Sequence, residues 1–180
     1  MKTKRALSEL EGAVLGNLLK QGPSTAYRVR CAFLASPSSQ WSGSAGAVYP
    51  ALARLEKSGL VASKHAPRGG RDAWNYSLTA AGRASVVAWL EPPFSDAVIS
   101  VAPDPVRTRV SILGALPRAR RIRFLKQAIA ELRRHLESLE PGAEWDDDDR
   151  RALRGAVLVT RARIEWLDEL LRESGRNARG

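Results

Sequence analysis

The stretch SAGAVYPALARLEKSGLV, residues 44–61, sets Val48, Leu52, Leu55 and Leu60 along one side and closes on Ser58 and Gly59. Apolar residues three or four apart share a helix face, so the spacing predicts a short amphipathic helix with that face on a core. Pro50 inside it removes a backbone donor and crowds the preceding turn, which predicts a slight bend or a late start to regular helix. A basic glycine hairpin follows, with arms at 60–66 and 73–78 around Pro67, Arg68, Gly69, Gly70 and Arg71. The paired glycines supply the positive φ that a tight turn demands. Trp74, Tyr76 and Leu78 alternate with Asn75 and Ser77, the period of a strand with one buried face. Thr79 then caps a helix carrying Val86, Val87, Trp89 and Leu90. A short helix followed by a cationic two-stranded loop suits a DNA duplex, because the helix fits the major groove and the loop reaches adjacent phosphates.

Two helices are predicted upstream. Ser8 with Glu11 three residues on has capping-box spacing, and Leu10, Val14, Leu15 and Leu18 recur until Gly22 and Pro23 stop the run. Ser24 reads as the cap of a second helix over 25–35, with Tyr27, Val29 and Leu34 as its apolar face. Residues 37–40 read as loop, and Ser42 or Ser44 as the cap of the third helix. Three helices and a hairpin give a winged helix-turn-helix. The expected fold is mainly α with a small β-hairpin: a winged helix-turn-helix DNA-binding domain over 1–91, a Pro-rich linker over 92–106, and a helical dimerisation and effector-responsive domain over 107–180.

In that last part Ile122, Leu125, Ile129, Leu132, Leu136 and Leu139 are spaced 3, 4, 3, 4 and 3, and Leu153, Val157, Thr160, Ile164, Leu167 and Leu171 are spaced 4, 3, 4, 3 and 4. Two heptad seams need partners. A hairpin within one chain would satisfy them; Trp166 and Leu170 widen the last stripe and favour cover by a second chain. Ile122, Leu125, Ile129, Leu132, Leu136, Leu153, Val157, Ile164, Leu167 and Leu171 are therefore the expected dimerisation residues, and a two-fold protein suits a two-fold DNA site.

Charge agrees with this division. Residues 1–90 hold 12 Lys/Arg against 4 Asp/Glu, whereas 91–180 hold 17 against 15, so the basic excess travels with the helix and hairpin. The expected DNA contacts are Ser42, Ser44, Ala47, Tyr49, Arg54 and Lys57 on and before the third helix, Lys64, His65, Arg68 and Arg71 on the wing, and Arg28 on the second helix. The third helix has no Arg, Asn or Gln near its start, so thymine methyls and DNA shape should carry more of the readout than base-edge hydrogen bonds. Trp41, Trp89 and Phe94 are the candidate lining of an effector pocket for a small planar hydrophobic molecule; the alternative is that these rings pack the core.

The segments Leu10 to Leu18, Gly22 to Val29, Val48-Tyr49-Pro50-Ala51-Leu52 to Glu56, Gly59-Leu60-Val61, and Tyr76-Ser77-Leu78-Thr79 to Gly82-Arg83 together resemble the PadR family of bacterial transcriptional regulators over about residues 7–90. Ala26 departs from the Gly that commonly precedes the Tyr. The resemblance implies a homodimeric repressor whose operator affinity falls when an effector or stress signal binds. Some members respond to phenolic or other planar compounds, and the C-terminal part is similar to the longer of the family's two size classes.

Other function classes find little support. No nucleophile–base pattern, phosphate-cradling loop or paired-carboxylate motif suggests an enzyme. His65 and His135 are too isolated for zinc, and the run Asp146 to Asp149 suits the positive end of a helix, so neither metal nor cofactor is expected. Cys31 is the single cysteine, expected as a small packing residue in a reducing compartment. No run is long and apolar enough for a membrane span, and the protein is expected in the cytoplasm, at the nucleoid when DNA-bound. The rival readings are a winged-helix protein-interaction module and a small-molecule-binding protein without duplex affinity.

Overall fold

The first helix, α1 (Glu9–Gln21), starts as its sequence requires: the Ser8 hydroxyl accepts from the Glu11 backbone N–H while the Glu11 carboxylate accepts from the Ser8 N–H at 3.1 Å. Gly22, at φ 69°, ends it. The coordinates are a computed structural model, and the residues it describes are 6–36, 38–66, 73–141 and 145–176. They form two compact units, Met1–Ser100 and Val101–Gly180.

In the first unit, β1 (Ser24–Thr25) leads into α2 (Ala26–Leu34). The cap of α2 is Thr25, which accepts from the Arg28 N–H at 3.2 Å, and not Ser24, which is buried in the strand. The buried face of α2 is Ala26, Val29 and Phe33, whereas Tyr27 and Leu34 are exposed. Both sets contain a seven-residue spacing one position apart, so the correct stripe was one step round the helix from the expected one. A short helix, α3 (Ser39–Gly43), occupies part of the expected loop, and a single 3-10 turn at Ala45–Ala47 feeds α4 (Val48–Lys57). Pro50 is the third residue of α4, where no backbone donor is needed; this is the late start that its position predicts. Val48, Ala51, Leu52 and Leu55 are buried. The helix ends with Leu60 N–H on the Leu55 carbonyl and Gly59 N–H on the Glu56 carbonyl, both 2.9 Å, with Gly59 at φ 73°. This double closure satisfies the last carbonyls and turns the chain into the wing.

The wing strands β2 (Val61–His65) and β3 (Trp74–Leu78) are antiparallel, and β1 adds to the far side of β3, giving a sheet in the order β1-β3-β2. Tyr76 and Leu78 pack on the core as expected; Trp74 is instead half-exposed, with the edge of His65 against its ring at 5.2 Å. Thr79 caps α5 (Ala80–Leu90) through the Gly82 N–H at 3.0 Å. Of its predicted apolar residues only Val86 is fully buried; Val87 and Leu90 are exposed. The unit closes with α6 (Asp96–Ile99).

The second unit holds α7 (Pro105–Ser111), a 3-10 turn at Leu113–Ala115, α8 (Arg118–Glu137) and α9 (Asp147–Arg176). The heptad seams meet inside the chain: Leu125, Ile129, Leu132, Ile164 and Leu167 form the buried cluster, with Leu136, Leu171, Trp166 and Leu170 packed against it. Leu153 is also buried, and Ile122 and Val157 are half-buried. The two widening residues are partly buried against this cluster, as are Val106, Val110 and Leu113. Among the described residues of this unit, the large apolar side chains left outward are Val101, Ile112, Leu116, Leu158 and Val159.

Asp104 ties α7 to α9. It accepts from the Val106 and Arg107 backbone N–H groups and from the Arg163 guanidinium at 2.8 Å. Burial alone would raise its pKa, but these donors outweigh it and hold the carboxyl below its ordinary value. A depressed carboxylate pKa contributes stability that is present above the unfolded-state value and lost as pH falls through the folded one. The Asp104→Asn variant is expected to melt lower than wild type at neutral pH, and the two should converge as pH falls below about 4. A gap that persists in acid would show that the charge is not what matters.

Candidate nucleic-acid interface

Helix α4 buries one face and opens the other. Tyr49, beside the fully buried Val48, is 48 % exposed. Tyr27 on the neighbouring α2 is 63 % exposed, so two phenols stand outward on the two helices of the helix-turn-helix. A hydrogen bond to the Cys31 thiol raises the Tyr27 pKa. Sequence spacing assigned Tyr27 to the core; its exposure is what brings it to this surface. Arg28 is exposed in the first turn of α2, Lys57 at the end of α4, and Lys64 and His65 on β2. Arg68 and Arg71 lie outside the described residues.

Four expected contacts sit in more constrained settings. The hydroxyls of Ser42 and Ser44 donate to the Ser38 and Gln40 carbonyls, so each has spent its one proton and can only accept. Ala47 is half-buried in the turn before α4. Arg54 gives its Nε to the buried Glu11 carboxylate at 3.2 Å, joining α4 to the start of α1.

A groove of about 840 Å³ runs along α1, the end of α4, α5 and the 91–98 segment, all within the first unit. Leu7, Leu55, Leu60, Trp89, Phe94 and Val98 give it an apolar wall. The Trp89 indole N–H donates to Glu9 at 3.3 Å. Gly12 makes room for that ring: a Cβ there would lie 2.3 Å from Trp89 Cε2. Ser85 lines the same groove, is 7 % exposed, and its hydroxyl has no hydrogen-bond partner among the described residues. A buried hydroxyl without a partner costs about 1–3 kcal/mol, a cost that a ligand with one polar atom would remove. The groove gathers two of the three predicted aromatics. Trp41 does not join them; it packs edge-on against Phe33 at 5.7 Å in the winged core. Neither Gly12 nor Ser85 was visible in the sequence, because each matters through what faces it from another helix. Among the described residues no three His, Cys, Asp or Glu converge as metal ligands, and no helix is long and apolar enough to cross a membrane.

Comparison with known proteins bears on this geometry. Residues 14–88 match the family described as transcriptional regulator PadR-like. No curated protein matches. Among solved structures, Bacillus subtilis PadR in complex with operator DNA is 20 % identical, with a TM-score of 0.78, over 93 % of this chain and 99 % of that one. The same protein in complex with p-coumaric acid is 19 % identical, with a TM-score of 0.70, over 94 % and 99 %. The Vibrio cholerae virulence activator AphA is 24 % identical, with a TM-score of 0.67, over 96 % and 100 %. At these identities the likeness establishes the fold across the chain.

Proposed function

We propose, for a chain whose residues 14–88 belong to the PadR-like family of transcriptional regulators, a homodimeric repressor that reads two-fold operator DNA and releases it on binding a small planar effector. The observation that carries the reading is α4, closed on its buried face and open at Tyr49, beside a sheet edge bearing Lys64 and His65. Ala47, Tyr49 and Tyr27 would meet base edges and phosphates, with Arg28, Lys57 and the wing cations on the backbone. Ser42 and Ser44 would serve as acceptors at most. Arg54 acts instead on the groove side. The protein works by binding rather than by turnover, in the cytoplasm, and at the nucleoid when DNA-bound.

The test is fluorescence anisotropy of duplex from the gene's own upstream region against scrambled duplex, over a salt series. Selective binding with a steep salt slope is expected; no binding at low salt would favour a protein partner for the same surface. Arg68→Ala with Arg71→Ala removes two candidate phosphate contacts per subunit. At a slope of about 0.9 per contact, the log–log salt slope of the dimer should flatten by about 3 to 4. An unchanged slope would remove the wing from the interface.

The Trp89, Phe94 and Ser85 groove is the proposed effector site. A structural relative has been solved with p-coumaric acid, a planar phenolic acid, which makes it the first compound to titrate. Trp89→Ala is expected to leave duplex affinity near wild type and to abolish release by the phenolic acid. Release that survives the substitution would place the effector elsewhere.

A further inference from the structure

The groove on the first unit is charged against its surroundings. Residues 1–91 hold 12 Lys/Arg and five Asp/Glu. Among the described residues that line the groove are three of those five carboxylates, Glu9, Glu11 and Glu91, and one of the 12 cations, Arg54. Three carboxylates and one guanidinium give this lining a formal charge of −2 on a unit that is otherwise basic.

Local folding accounts for part of this. Glu11 completes the capping box of α1 and holds Arg54, so its charge is matched within the chain. Glu9 suits the positive end of α1, yet it accepts from the neutral Trp89 indole and pairs with no cation among the described residues. Glu91 follows the last residue of α5, where a carboxylate opposes the helix macrodipole, and it pairs with no described cation either. Both side chains are exposed. Two carboxylates without a counter-ion therefore stand at the rim of a groove whose wall includes Trp89 and Phe94. Aromatic faces attract cations, and more strongly where water is excluded. Rings and carboxylates thus favour the same sign of ligand, and the unpartnered Ser85 hydroxyl can accept from an N–H.

We infer that the groove takes an aromatic cation, an amine or amidine on a planar ring system, in preference to an aromatic acid. This rests on the effector reading above and names the ligand's charge. A phenolic acid would enter by its ring alone, because its ionised carboxylate meets two like charges and Arg54 is already engaged by Glu11. A ring bearing an ammonium group gains from the same two carboxylates. The positive charge of the whole unit repels a cation only at long range, where salt screens it; the groove's own charges act at contact.

Three ligands of one skeleton test this by isothermal titration calorimetry on the full chain without DNA. They are p-coumaric acid and the primary alcohol and primary amine that carry its hydroxyphenyl-propenyl frame. At neutral pH and about 50 mM salt the amine should bind about tenfold or more tightly than the acid, with the alcohol between them. Raising salt to about 500 mM should narrow the gap. Glu9→Gln with Glu91→Gln keeps an acceptor for the Trp89 indole and removes both charges. That variant should bind the amine about fivefold or more weakly, bind the acid more tightly, and hold the alcohol within about twofold of wild type. An unchanged alcohol shows that the groove is intact. An acid that binds wild type as tightly as the amine, or an amine indifferent to the double substitution, would overturn the inference. Equal losses for all three ligands would give the carboxylates a structural role and overturn it too, as would amine binding that survives Trp89→Ala. Anisotropy with duplex separates the two questions. An amine that binds the groove without releasing duplex sinks the effector reading and leaves the ligand class standing; preference for the acid does the reverse.

Discussion

Gly82→Ala is expected to destabilise the winged unit by about 3 kcal/mol or more, lowering its melting temperature by about 12–25 °C. A Cβ at this position would lie 1.9 Å from the Leu60 carbonyl oxygen and 2.9 Å from its carbon. The obstacle is backbone, and that carbonyl cannot move freely, because it accepts from the Thr79 N–H at 3.1 Å and from the Thr79 hydroxyl at 3.2 Å. Alanine would gain about 1 kcal/mol of helix propensity over glycine in α5. The clash opposes that gain and exceeds it, since relief requires parting α5 from the turn that follows α4. Thermal unfolding by circular dichroism measures the outcome, and a melting temperature within a few degrees of wild type would contradict the close approach. Duplex binding should fall in step, because that turn positions α4 against the wing.

Leu167→Ala should remove the second unit while sparing the first. Leu167 is 0 % exposed and lies in a cluster with four other buried members among the described residues, Leu125, Ile129, Leu132 and Ile164. Truncating a fully buried leucine costs about 2–5 kcal/mol, from lost transfer energy and from the cavity left behind. An 80-residue unit has about 4–12 kcal/mol in total, so this single change consumes much of it. The expected result is a melt in which the transition of residues 101–180 moves far down or disappears, while the winged transition stays in place. Dimerisation should fail with it, weakening two-fold DNA sites far more than single half-sites. Leu158→Ala is the control: half-exposed, it should change the stability of its own unit by no more than about 0.5 kcal/mol. If both variants melt alike, the hairpin core has been misplaced.

Much of the architecture was legible in local chemistry. The Ser8–Glu11 box, the Gly22 stop and the Thr79 cap each depend on residues within a few positions and stand where the sequence predicts them, as does the apolar face of α4; its cap does not, because the short α3 and a 3-10 turn take up Ser42 and Ser44 and α4 starts at Val48. What escaped depends on distant partners. Ser24 and Thr25 both belong to β1 and pair with β3; Ser24 is buried there with its hydroxyl turned back to the Gly22 carbonyl, which leaves the Thr25 hydroxyl to cap α2. Tyr27 and Leu34 share a helical spacing as regular as that of Ala26 and Phe33, and only the neighbouring helices select between them. Arg54 read as a backbone contact because it is a cation near a helix end, but Glu11, buried on α1, holds it. Two heptad seams announce two partners without saying whether they belong to one chain; here they do. Trp41 could equally have lined a pocket or packed a core, and Phe33 decides for the core.

The strand order has a consequence during synthesis. β1 emerges early, yet its partner β3 is the last strand made, and Ser24, 1 % exposed in the finished unit, has no strand partner until Tyr76 leaves the ribosome. The sheet is thus completed from its centre, after both edges already exist. A nascent chain stopped before residue 74 carries all the helices of the helix-turn-helix but neither the central strand nor the α5 turn that seats on Leu60. The winged unit is therefore complete only once β3 and α5 have been made.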